Sequence, residues 1–181
     1  MAANQLIEEL VLSEKFPCIF GQNVIKTGNA MVSQYGKMDS KETAAAVCDD
    51  LCDFIKKYNL STINADNLTF ASNIAIFDQD LASQEQAAYL LALLLVNMHA
   101  YDESAGNGWY SGVSCEPKSD KFSYCVGGEA FFAPFFNPHA AYPQRRSPKP
   151  ILVFNPHRMF EALRAKGKYQ AFRDIIRKRE E

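Results

Sequence analysis

The stretch Phe122-Ser123-Tyr124-Cys125-Val126-Gly127-Gly128-Glu129-Ala130-Phe131-Phe132-Ala133-Pro134-Phe135-Phe136 decides the fold class. It is apolar and aromatic on both sides of a Gly-Gly pair. It therefore reads as extended chain in which the glycines turn a hairpin or mark a bulge. Working outward, the further strand candidates are Ile151 to Phe154, Leu68 to Phe77, Ala30 to Gln34 and Cys18 to Lys26, several with the period-two alternation of a half-buried strand. The candidates cluster instead of alternating strictly with helices. That pattern favours an α+β domain with a largely antiparallel sheet.

Three main helices are expected to pack that sheet. Lys41 to Tyr58 follows a Ser40 cap and carries Val47, Leu51, Phe54 and Ile55 as one stripe, which makes it an amphipathic surface helix. Ser83 to Tyr101 opens with a cap and Gln86 in capping-box position, then turns apolar nearly all round through Leu90 to Val96, as a central helix would. Arg158 to Arg179 places Phe160, Leu163, Phe172, Ile175 and Ile176 on one face, with Gly167 positioned to divide it and an end rich in Lys and Arg.

With 181 residues, 48% hydrophobic and 22% charged, the chain suffices for one domain, taken as 1–181, with a sizeable core. A formal charge of -2 supplies no general positive field, so neither nucleic acid nor an anionic membrane is an expected partner. The longest apolar run, Ala87 to Val96, is too short to span a bilayer, and the acidic start lacks the basic opening of a signal peptide. A soluble, cytoplasmic protein is expected, with homodimerisation left open. No solenoid repeat and no low-complexity linker divides it.

Cys18, Cys48, Cys52, Cys115 and Cys125 are an odd set without a CxxC pair, so reduced thiols are expected in place of a disulfide framework or structural zinc site. Cys48 and Cys52 share a helix face with Val47, Leu51 and Ile55 and read as small hydrophobes. Cys18 or Cys125 could each supply a thiolate to haem iron. The motifs GxGxxG, Walker loop, HExxH and GxSxG are all absent.

The tetrapeptide Phe-Asn-Pro-His occurs twice, at Phe136 to His139 and Phe154 to His157, with Arg145 and Arg146 between the copies. Each copy follows an apolar run, so each histidine is expected at the mouth of a strand, where proline stops pairing. Taken singly, each is better explained as a cap on its turn or on the following helix, and the repetition with the paired arginines is what weighs against that. The third histidine, His99, continues the Leu91 and Leu95 positions of the central helix and is expected in the core, with Asp102 placed to orient its ring.

Read in order, Phe16-Pro17-Cys18, Gly28-Asn29, Trp109 to Ser114, Phe122-Ser123-Tyr124, Gly127-Gly128, Phe131-Phe132, Arg145-Arg146, Phe154 to His157, Phe160-Glu161 and Ile176 to Arg179 resemble the YqcI/YcgG family over most of the chain. The resemblance implies a haem b-dependent monooxygenase that hydroxylates a guanidine nitrogen of arginine or an arginine-like amino acid. Electrons would come from an external reductase or from peroxide, because no flavin or NAD pattern is visible. Haem needs an apolar aromatic slot, an axial nitrogen or sulfur and cations for its propionates. Phe131, Phe132, Phe135, Phe136 and Phe154 are slot candidates, His157 and then His139 ligand candidates, and Arg145 with Arg146 propionate partners. Glu129, Glu116 and Asp102 are the candidate counter-ions for a cationic substrate.

Two departures bear on this. After Phe136 the family usually has His-Pro, whereas Asn137-Pro138-His139 displaces the histidine by two positions, about 6 to 7 Å along extended chain. Relatives continue beyond the position of Glu181 through a segment expected to cover the pocket. Both leave room for a haem-binding sensor or carrier without oxygenase activity, or for a member without cofactor. A non-haem metal site on His99, His139 and His157 ranks last, since the three lack tight ligand spacing.

Overall fold

The aromatic stretch does turn back on itself. In the computed structural model, which describes residues 3–14 and 16–180, it forms β3 (Tyr124–Val126), β4 (Glu129–Phe132) and β5 (Phe135–Phe136). Tyr124 pairs with Phe131 and Val126 with Glu129. The intervening Gly127 and Gly128 have φ of 60° and 74°, the left-handed conformation that a two-residue hairpin turn requires and glycine supplies without a Cβ penalty.

Three more strands complete the sheet: β1 (Ala30–Tyr35), β2 (Ser72–Phe77) and β6 (Ile151–Pro156). The order is β1-β2-β6-β4-β3, with β5 also pairing β6. Among the strand pairs of the described residues, β1 and β2 alone run parallel. Parallel neighbours need a crossover, and α3 (Lys41–Lys57) lies between them in the chain. The remaining helices are α1 (Ala3–Val11), α2 (Ile19–Lys26), α4 (Gln84–Ser104), α5 (His157–Ala165) and α6 (Tyr169–Glu180). The architecture is thus α+β with a mostly antiparallel sheet, and among the described residues the three expected helices are present, the third divided into α5 and α6, together with α1 and α2.

The helix caps follow from the sequence. Ser40 Oγ accepts from the Thr43 amide at 3.2 Å, and Ser83 Oγ accepts from the Gln86 amide at 3.2 Å, each satisfying an orphan donor of a first turn. Gly167, at φ 66°, ends α5 and separates it from α6. The segment Cys18 to Lys26 is a correction, since it is helical and not extended. Its buried residues, Phe20 and Val24, are four apart, the spacing of one helix face, and Cys18 Sγ caps the first turn by accepting from the Gly21 amide at 3.4 Å.

Period two along β2 sorts the core into two layers. Ala75 and Phe77 face α3 and α4, where Val47, Leu51, Phe54, Leu94 and Met98 pack with Phe131, Leu152 and Phe154. Ile74 and Ile76 face the other way, onto Ile7 and Val11 of α1 with Phe136 and Ile151. Each fully buried phenylalanine in the first layer contributes roughly 1.5–3 kcal/mol relative to an exposed one. The second layer is thinner, and the cavity opens there. No helix among the described residues is long and apolar enough to cross a membrane.

Candidate active site

A cavity of about 540 Å³ lies on the α1 and α2 side of the sheet. Its size is within the range of small-molecule and cofactor sites, roughly 300–1,000 Å³. Ile74, Ile151, Val153, Phe132 and Phe136 form its sheet wall, Ile7, Val11, Phe20 and Val24 its wall on α1 and α2, and Phe160, Tyr169 and Ile176 its side on α5 and α6. Phe20 ties these helices together, with ring centroids 4.9 Å from Phe172 and 6.3 Å from Phe160. Arg179 Nη1 donates to Gln22 Oε1 at 3.3 Å, a second link from α6 to α2.

The polar part of the lining is small. Ser72 Oγ donates to Asn155 Oδ1 at 2.7 Å across β2 and β6. Cys18 lines it from the N-cap of α2, and Gln144 lies beside Arg145. Three arginines, Arg145, Arg173 and Arg177, line the same cavity, and no Asp or Glu is among its described lining residues. The Arg145 guanidinium sits 5.2 Å over the Phe136 ring, a cation–π contact that holds it at the wall.

Of the residues singled out by sequence, Phe132, Phe136 and Arg145 are therefore brought together. Phe132 is 52% exposed and meets Phe160 edge-on at 5.9 Å, while Phe136 stacks on Phe16 at 6.2 Å. Phe131 and Phe154 belong to the opposite core layer, as does the half-buried Phe135. Arg146 turns away and donates from Nε to the Ala140 carbonyl at 2.9 Å.

Neither candidate histidine ligand lines the cavity. Pro156, still paired opposite Phe131, is the last residue of β6, and His157 directly after it is the first residue of α5. Its Nδ1 is 3.3 Å from Ser123 Oγ and its Nε2 3.2 Å from Glu161 Oε1. Burial pushes its imidazole below the ordinary value, against the pull of Glu161, and Arg164 adds to the push. His139 sits in an Asn turn, its amide donating to Asn137 Oδ1 at 2.9 Å. Its ring Nε2 lies 2.7 Å from the Leu81 carbonyl, which can only accept, so that nitrogen carries the proton.

His99 is a further correction, because it is exposed and lies edge-on to Trp109 at 5.6 Å instead of in the core. Asp102 does not orient it. That carboxylate is 5% exposed and accepts from the Gly127 amide at 2.9 Å and from Asn107 Nδ2 at 2.8 Å, fixing the hairpin turn to α4. Glu129 is engaged by Arg158 in a two-pronged ion pair at 2.7 and 3.1 Å, and Glu116 is exposed. Among the described residues no three His, Cys, Asp or Glu side chains are grouped to hold a metal ion.

The thiols divide similarly. None of the five cysteines is in a disulfide. Burial pushes the Cys48 thiol up to about 12 and the Cys125 thiol up to about 11, so both are held protonated as apolar packing groups. Cys18 is the one cysteine of the cavity lining. Arg173 and Arg177 escaped sequence reasoning, although their spacing of four places them on one face of α6.

No curated protein and no solved structure matches the chain. A family model described as YqcI/YcgG matches residues 7–181, nearly the whole length. The hairpin, the glycine turn, the Arg145 wall and α6 all lie within that span, and the chain belongs to the YqcI/YcgG family.

Proposed function

We propose that the chain binds haem b in this cavity and that the haem protein hydroxylates a guanidine nitrogen of arginine or an arginine-like amino acid. The observation that carries the reading is the composition of the lining: aromatic and aliphatic walls, one sulfur and three guanidinium groups. That donor set fits the group, which needs an apolar slot, one axial nitrogen or sulfur and cations for two carboxylates. When bound, haem supplies activation of dioxygen or peroxide, with electrons from a separate reductase or from the peroxide itself.

The chain's own residues have narrower tasks. Phe132, Phe136 and Phe160 would hold the macrocycle and exclude water. Arg145, Arg173 and Arg177 would take the propionates. Cys18 replaces the histidines as the residue that would hold the iron, because it lines the cavity and its sulfur accepts an amide hydrogen bond from Gly21, the kind of support that orients a thiolate ligand.

The substrate half of the proposal draws on the family resemblance. One observation favours a second reading, a haem-binding sensor or carrier without turnover: the described lining residues offer a guanidinium substrate no carboxylate. Hemin titration followed by absorption separates the cases when joined to a turnover assay. A saturating Soret band at one haem per chain, with arginine gaining one oxygen atom by mass spectrometry in the presence of reductant and dioxygen or of peroxide, supports the enzyme. The same band without oxygen transfer supports the carrier, and no specific band overturns both.

A further inference from the structure

We infer that Arg173 is the anchor of the cavity and that its partner is a carboxylate, so that the ligand taken here is an apolar body bearing an acidic group. The identity of that ligand as haem rests on the proposed function; its charge does not. Arg173 Nε is sealed from solvent and has no hydrogen-bond partner. A buried donor left without a partner is destabilising, and more so when the group is charged. A carboxylate entering the cavity and drawing the guanidinium toward it would supply the missing bond.

The surroundings decide the sign of that ligand. Arg177, one turn on, lines the cavity from the same helix, and Arg145 lines it from the 3-10 turn Pro143–Arg145. No ion pair among the described residues uses Arg145, Arg173 or Arg177. Three arginines without a carboxylate among the described lining residues repel a cation and attract an anion. A carboxylate matches the guanidinium fork with two parallel hydrogen bonds, which a neutral group cannot do. The rest of the wall is apolar, so the other end of the ligand must be apolar as well.

The test measures the affinity of hemin, hemin dimethyl ester and dodecanoate for the parent, Arg173→Gln and Arg173→Lys by quenching of the Trp109 fluorescence, with thermal unfolding of the unliganded proteins as the control for folding. Arg173→Gln should weaken hemin by about tenfold or more, leave the ester unchanged and unfold no earlier than the parent. Arg173→Lys should recover part of the loss. Equal hemin affinity in parent and Arg173→Gln overturns the anchor and leaves the haem reading standing. If hemin fails to bind the parent while dodecanoate binds and depends on Arg173, the haem reading falls and the anchor stands. Binding of neither by the parent overturns the anchor.

Discussion

Asn73 lies fully buried on the α3 and α4 side of β2, and neither its Nδ2 nor its Oδ1 has a hydrogen-bond partner. An isosteric apolar replacement removes two unsatisfied polar atoms without opening a void, so Asn73→Leu should stabilise the fold by about 1–3 kcal/mol. Urea denaturation measures it, and a loss of stability would show that the amide has a structural task. His157 gives a pH signature. Its folded-state value lies below the ordinary 6.5, so below about pH 6.5 the unfolded chain binds more protons than the native one. Stability is fully present above that value and falls as pH drops toward the folded-state value. His157→Gln should flatten this slope in a series of denaturation curves, and an unchanged slope would place the titration elsewhere. The histidines also mark a limit of sequence reading: the repeated Phe-Asn-Pro-His set them at strand ends, but strand register and helix packing decide what they face. Phe136 and Arg145 were legible because both lie in the segments that the motif brackets.

The hairpin is the element whose sequence states its structure most directly. Gly127 has φ 60°, and a Cβ added there would lie 2.9 Å from Ile55 Cδ1 and 3.2 Å from Cys52 Sγ. Gly28 also has positive φ, at 70°, but meets nothing within 4 Å. Gly127→Ala should therefore cost about 1–3 kcal/mol and more than Gly28→Ala, the difference reading the steric part of the penalty. Equal losses, compared by thermal unfolding, would mean that α3 yields to the added methyl group. Helices α3 and α4 were legible from their caps and periods. Helix α2 was not, because eight residues rich in β-branched and aromatic side chains read as strand until Phe20 and Val24 are seen to share a buried face. Helix α1 was passed over, although Ile7 and Val11 are four apart and both buried.

At the scale of the whole molecule, the sheet separates two unequal layers. The α3 and α4 side is a closed core of large side chains, whereas the α1, α2 and α6 side encloses the cavity. The fold class followed from clustered strands, but the cavity could not be read in advance. It brings Cys18 together with Arg145 and Arg173, both more than a hundred residues further along the chain, and the packing of α6 over α2 is what sets Arg173 beside Cys18's helix. This arrangement moves the expected haem ligand from the histidines to Cys18. The most direct measurement is a hemin titration of the parent, Cys18→Ser, His157→Ala and His139→Ala proteins, followed by the absorption spectrum of the reduced carbonyl complex. The expected result is one haem per chain and the red-shifted carbonyl Soret band of thiolate ligation, lost in Cys18→Ser and kept in both histidine variants. A band that survives Cys18→Ser and disappears in a histidine variant, or no specific binding by the parent, would contradict the account.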